Sequence, residues 1–412
     1  MRECVVRSSF VFLLQVVCLS LLLPTWSDAV EPPTGATFLV KGIGIGPATR
    51  PSDLKKGHKE VTHQVELVDP VSPNATPQPH EVVQTLDERG FPVGYSMSFT
   101  THVCNDKQCL PVDVTMMWDA LGYYSGLTYP PAKPLTKKEH VPFTPADYAK
   151  LDRILKDRNS ILRTWTLAFL DKPEEPVAVV PGVDGVDALT TPTPTTVKDS
   201  VIEGAAYTSW ALWRWANGEI VPKLRRITEE RCTPEYLKQL LGSEDRRHVD
   251  YALAYVTEKH PTEGQFVEDV VRILETGERE QITQAIAFLE KAIPDKQKLY
   301  TQLIESCTRM RAADCPMVLQ RLADDPDLPS DTLEALTEQV SELPYFPVHL
   351  ILRMLEQREF TSPAAIANVA ALLDSDDFFV ARRAYEHLAQ QDVGAELQRK
   401  IEAFREKNQD RL

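Results

Sequence analysis

Positive charge is scarce in this 412-residue chain: 45 lysines and arginines stand against 60 aspartates and glutamates, a formal net charge of −15. A polyanionic partner needs a basic surface, so this balance argues against nucleic acid and anionic lipid, and no basic run interleaved with aromatics reverses it. Long apolar runs are missing beyond Leu23, so no later segment approaches the roughly 20 residues that a membrane-spanning helix requires. The Cys-x-x-Cys spacing that lowers a thiol pKa is absent. Gly42-Ile43-Gly44-Ile45-Gly46 lacks the third glycine's spacing of a dinucleotide loop and reads as a flexible strand edge. His58 and His63 fall in a charged stretch as solvated histidines, and no Ser/His/Asp or paired-carboxylate spacing is interpretable.

What is present is ordinary globular composition, 43% hydrophobic and 25% charged, in a chain long enough for two or three domains. The first 29 residues read as a secretion signal: Arg2 and Arg7, an apolar run from Phe10 to Leu23, then Ser27-Asp28-Ala29 with small residues at the cleavage positions. Cleavage after Ala29 places the mature chain outside the cytoplasm, in a periplasmic or extracellular setting. Seven cysteines then fall to five. Cys104 and Cys109 flank the polar turn Asn105-Asp106-Lys107-Gln108 between two alternating runs, so a disulfide closing a hairpin mouth is expected. A redox pair or a metal site with His102 are the alternatives, short respectively of the Cys-x-x-Cys spacing and of a fourth ligand. The odd count leaves at least one buried free thiol, with Cys232 the candidate.

Residues 30–80 form a Pro-rich lead-in with strand-like runs from Thr37 to Ile45 and Val61 to Val68. Alternation predicts an antiparallel sheet from Glu81 to Leu86, Phe91 to Val103 and Leu110 to Trp118, then a helix from Phe143 to Leu162 and a strand from Trp165 to Leu170. A helix from Val197 to Ala216, stopped by Asn217-Gly218, closes a domain at 81–219. Its Trp210, Trp213 and Trp215 read as core or inter-domain packing, with ring stacking on a ligand as the alternative. From 220 to 412 helical patterns recur without an intervening strand pattern, beginning at Pro234 to Leu241 and ending at Val393 to Lys407. The expected fold class is α+β: a small antiparallel-sheet domain followed by an all-α domain that resembles HEAT-like repeats, with a compact bundle as the other arrangement.

One loop carries the chemistry. Asp187-Ala188-Leu189-Thr190-Thr191-Pro192-Thr193 runs toward the predicted helix, where unpaired N–H groups and the helix dipole favour a phosphate. The stretch resembles the attachment motif of the FMN-binding domain family, in which an aspartate, two variable residues, Ser/Thr, two small residues and a threonine precede a helix. The likeness extends to Gly90-Phe91-Pro92-Val93-Gly94-Tyr95, to the segment from Pro134 to Leu162 and to Thr196 through Ala205, about a third of the chain. It implies FMN esterified to Thr193, with Asp187, Thr190 and Thr195 around the phosphate. Where the family has glycine and alanine this chain has Thr191 and Pro192, and the proline ring fixes its own φ. The competing reading of the loop is structural, a connector whose Thr196 and Asp199 begin a capping box.

The resemblance therefore implies an exported electron carrier or redox sensor rather than an enzyme with its own substrate, loaded by a flavin transferase and docked to a protein partner through the helical domain. The alternative is a scaffold that keeps a flavin fold without its cofactor. A thiol redox protein acting through Cys104 and Cys109 is the third possibility.

Overall fold

In a computed structural model of the chain, residues 44–47, 58–72, 74–103, 111–166, 170 and 199–412 are described. Six strands, β1 (Gly44–Pro47), β2 (Lys59–Leu67), β3 (Gln78–Leu86), β4 (Pro92–Thr101), β5 (Val112–Asp119) and β6 (Tyr124–Tyr129), make one sheet in the order β1-β6-β5-β4-β3-β2. Neighbours from β2 to β6 pair antiparallel, while β1 runs parallel to β6. The sheet is therefore mixed rather than purely antiparallel. The expected lead-in supplies two of its strands: β2 pairs with β3 along its whole length, from Lys59↔Leu86 to Leu67↔Gln78. The strand β6 has no counterpart among the predicted elements.

Two of the hairpins turn on the same four-residue device. In Asp87-Glu88-Arg89-Gly90 the Asp87 carboxylate accepts the N–H groups of Arg89 and Phe91 at 2.9 and 2.8 Å. In Asp119-Ala120-Leu121-Gly122 the Asp119 carboxylate accepts those of Leu121 and Tyr123, both at 2.9 Å. Each turn ends on a glycine at positive φ, Gly90 at 87° and Gly122 at 76°, a region that side chains disfavour. The alternating pattern then puts Tyr95, Met97 and Phe99 of β4 on a buried face. The other face pairs polar groups across strands: the Ser98 and Thr115 hydroxyls lie 2.8 Å apart, and Thr100 donates to Asp113 at 2.7 Å.

Helices α1 (Pro145–Lys156), α2 (Ala206–Asn217) and α3 (Ile220–Glu229) cover the buried face. All three contribute to one core cluster with Met97, Met116, Trp118 and Leu127 of the sheet. The third helix thus packs with the sheet, and the change of core falls between Leu224 and Tyr236 rather than at 219. Pro222 sits in the first turn of α3, where its missing N–H is tolerated. The long helix expected from Val197 is interrupted. Asp199 and Ser200 are helical, Ile202 and Ala205 then form an isolated bridge, Gly204 takes φ 75°, and α2 begins only at Ala206. Trp165 and Thr166 carry no strand, and Leu170 is helical.

Eleven further helices follow: α4 (Pro234–Leu241), α5 (Arg246–Lys259), α6 (Val267–Thr276), α7 (Arg279–Ala292), α8 (Lys296–Arg309), α9 (Cys315–Ala323), α10 (Ser330–Glu338), α11 (Tyr345–Gln357), α12 (Pro363–Ala371), α13 (Phe378–Leu388) and α14 (Ala395–Lys407). From α4 to α11 each touches the helix two places along, so that even-numbered and odd-numbered helices up to α13 form two layers. Their apolar faces close over a second continuous core running from Tyr236 to Ile401. The architecture is α+β, a six-stranded mixed sheet followed by a helical region.

Candidate functional site

Two tryptophans of α2 line an apolar cleft beside the sheet. Trp210 and Arg214 are one turn apart and share a helix face. The Trp210 indole N–H donates to the Trp165 carbonyl at 3.0 Å, and the Arg214 guanidinium donates to the same carbonyl at 2.9 Å and to that of Arg163 at 3.0 Å. Two donors from one helix thereby fix the peptide of Trp165. Trp215 turns toward the sheet, where its ring lies 4.5 Å from that of Phe99 and 5.4 Å from that of His80, and its N–H reaches the Thr101 hydroxyl at 3.2 Å. Trp213 faces the end of α1 and donates to the Asp157 carbonyl at 2.8 Å.

Trp165, Trp210, Arg214 and Trp215 form one wall of a cleft of about 600 Å³. The end of β2 and its continuation, Leu67-Val68-Asp69-Pro70, form the opposite wall, and Gly218-Glu219-Ile220 close the base. Glu219 joins these parts. Its carboxylate accepts the Val68 N–H at 3.4 Å and also binds the Lys223 ammonium, which donates in turn to the Glu66 carbonyl. Gly218 is required here because a Cβ would lie 2.4 Å from the Arg214 carbonyl oxygen.

The cleft combines aromatic walls with a few polar groups, the usual constitution of a small-molecule site. Burial lowers the pKa of the Arg214 guanidinium, and its Nε is buried without a hydrogen-bond partner. That atom is a donor available to a carbonyl or ring nitrogen. Burial also lowers His80 below its ordinary value, against the opposing pull of Asp69 and Glu66. The packing reading of the tryptophans and the ligand reading thus meet in one place: the rings are buried, with every indole N–H of α2 used internally, yet three tryptophans border open space.

Thr193, Asp187, Thr190 and Thr195 lie outside the described residues, as do Cys104 and Cys109 and the N-terminal segment through Ala29. Among the described residues, Thr166, which lines the cleft, and Leu170 precede that loop in the chain, and Asp199 follows it. Among the described residues three thiols are free: Cys232, half-buried and 3.8 Å from the Tyr251 hydroxyl, and the buried Cys307 and Cys315. Burial pushes the Cys232 thiol up to about 11, which makes it inert at neutral pH. His63 Nε2 donates to the Gln84 Oε1 at 3.1 Å within the sheet. Sequence reasoning singled out the α2 tryptophans but missed Trp165, Arg214 and the wall from Leu67 to Pro70. Only the aromatic density of α2 signalled them. Comparison of the chain with protein-family models, with curated proteins and with solved structures found no match.

Proposed function

We propose that this chain is an exported electron carrier or redox sensor bearing FMN on Thr193, with the flavin ring seated in the tryptophan cleft and the helical region docking a protein partner. The observation that carries the reading is the cleft itself, lined by three tryptophans and by Thr166, which precedes the attachment motif in the chain. A flat tricyclic ring stacks well on indole walls. Trp165, Trp210 and Trp215 would hold its faces, and the spare Arg214 Nε would donate to its carbonyl or ring-nitrogen edge. FMN supplies the one- and two-electron chemistry, while the protein sets its exposure and electrostatics. Covalent attachment suits an extracytoplasmic location, where free FMN is not replenished. The two-layer helical stack is HEAT-like, an architecture whose long surfaces serve protein partners.

A specific observation favours the scaffold reading instead. The indole N–H groups of α2 are all internally bonded, so its tryptophans are held in place without a ligand. Co-expression with a periplasmic flavin transferase separates the two. The flavin reading expects yellow protein with intact mass raised by one FMN residue, and Thr193→Ala to abolish both. Colourless, unmodified parent protein leaves the scaffold.

A further inference from the structure

The helical region presents one aromatic edge to solvent. Tyr345, Phe346 and Phe379 are 39%, 54% and 62% exposed, and they are the only exposed aromatic side chains among the described residues. Tyr345 and Phe346 open α11, and Phe379 lies in the first turn of α13. These two helices are neighbours in the odd-numbered layer and run parallel. Their first turns meet through the Tyr345 and Phe379 rings, 6.1 Å apart, and their last turns through Glu356 and His387 at 3.0 Å. Parallel packing therefore gathers the three aromatics at one end of the layer.

Unpaired carboxylates lie around them. Glu342, Asp376 and Asp377 are exposed beside the aromatics and enter no ion pair in the described chain. The nearby cations are engaged: Lys400 with Asp374 at 2.7 Å, Arg382 with Glu386 at 2.9 Å, and the buried Arg383 with Glu356 at 2.8 Å. One arginine shows what this surface accepts. The Arg411 guanidinium lies 3.6 Å from the centroid of Phe378, the residue beside Phe379, whose own ring has no such cover. Aromatic faces among carboxylates attract cations both by ring quadrupole and by charge. A second copy of this acidic chain would bring like charges together at the same edge.

We propose that this edge docks a basic, arginine-bearing segment of a partner protein, its guanidinium groups lying over Phe379 and Tyr345 as Arg411 lies over Phe378, with Glu342 and Asp376 as counter-charges. This gives the docking role proposed above a partner chemistry, and it does not depend on the flavin.

The test is selection of a random peptide library displayed on phage against the full chain, counter-selected against the Phe346→Ala/Phe379→Ala variant. Enriched peptides should be net positive, with arginine beside an apolar residue. In fluorescence-anisotropy titrations the double variant should bind them at least about tenfold more weakly, the loss expected when anchoring rings are truncated. Glu342→Gln/Asp376→Asn and raised salt should also weaken binding. Because all four positions are exposed, the variants should keep the parent's circular dichroism and melting temperature. Failure to enrich any peptide, enrichment of acidic or uncharged peptides, or unchanged affinity in the aromatic variant overturns the proposal. So does concentration-dependent dimerisation that the aromatic variant abolishes, which assigns the edge to a second copy. Colourless Thr193→Ala protein must give the same affinities, so failure of the flavin reading is told apart from failure of this one.

Discussion

Gln84 is fully buried, and its amide shows how a polar residue is made safe in this sheet. Its Oε1 lies 3.1 Å from the His63 ring, its Nε2 donates to the Tyr95 hydroxyl at 2.9 Å, and that hydroxyl lies 2.6 Å from the Thr228 hydroxyl of α3. Thr228 donates onward to the Ala120 carbonyl. Desolvation raises the Tyr95 pKa, so the phenol stays protonated and keeps a hydrogen for the chain. Buried donors and acceptors are tolerated only when such a relay is complete. Tyr95→Phe removes the middle link and strands the Gln84 amide, at an expected cost of about 1–3 kcal/mol. Ser98→Ala, on the exposed face of the same strand, should stay within about 0.5 kcal/mol because Thr115 can turn to water. Urea unfolding of the two variants gives the comparison, and equal losses would show that the relay contributes nothing special.

At the scale of single elements, α1 joins sequence and stability most directly. Thr144-Pro145 marked its start in the sequence, and the structure completes a capping box there. The Asp147 N–H reaches the Thr144 hydroxyl at 3.3 Å, while the Asp147 carboxylate accepts the Thr144 N–H at 2.8 Å and the Lys137 ammonium at 2.8 Å. Desolvation opposes ionisation of Asp147, but the Lys137 ammonium and the Thr144 N–H and hydroxyl outweigh it and hold its pKa at about 2. A depressed carboxyl pKa stabilises the fold above the unfolded value of roughly 3.9, and that contribution disappears as pH falls through the folded value. The stability gap between the parent and Asp147→Asn should therefore be constant at neutral pH and narrow as pH drops from about 4 to about 2. Denaturant titrations across that window measure it, and a gap independent of pH would remove the carboxylate from the account.

The same scale shows what the sequence could disclose. Strands β3, β4 and β5 and nearly all helices beyond Pro234 were legible because one-sided burial imposes periods of two and 3.6 on their residues. Strand β6 was hidden because a register shift between Met117 and Trp118 breaks the alternation at its start, and Gly126 removes one side chain from the pattern. The break before α2 was hidden because Val201, Ile202 and Ala205 are all buried and sustain a helical rhythm across Gly204. The cleft was half legible. Its tryptophans announced themselves, but the opposing wall from Leu67 to Pro70 comes from far away in the sequence, and pairing of that kind leaves no local trace.

Across the whole molecule, two cores must act together. Tyr123, in the turn before β6, is where they are fastened. The guanidinium groups of Arg158 after α1, Arg225 of α3 and Arg247 of α5 lie 4.6, 5.4 and 4.4 Å from its ring centroid. Arg247 is held further by Asp245 at 2.5 Å, and Arg225 donates to the Leu121 carbonyl at 2.9 Å. Nearby, the Phe91 ring packs at a tilt, 5.3 Å away, against Tyr236, whose hydroxyl donates to the Pro92 carbonyl at 3.2 Å. Each exposed cation–π contact is worth about 0.5–1 kcal/mol, so Tyr123→Ala should cost about 1–3 kcal/mol in all, of which only the Arg247 contact, about 0.5–1 kcal/mol, couples the two cores. The chain carries its own reporters for that coupling. Apart from Trp26 in the N-terminal segment, every tryptophan lies between Trp118 and Trp215, so their fluorescence follows the sheet and its three helices, whereas far-ultraviolet circular dichroism is dominated by the helical stack. In the parent the two signals should change together on heating, as cooperative unfolding requires. In Tyr123→Ala the fluorescence transition should move to lower temperature and separate from the dichroism transition. Coincident transitions in the variant would mean that the remaining contacts, Phe91–Tyr236 and Arg89–Gln239 among them, suffice to hold the two cores together.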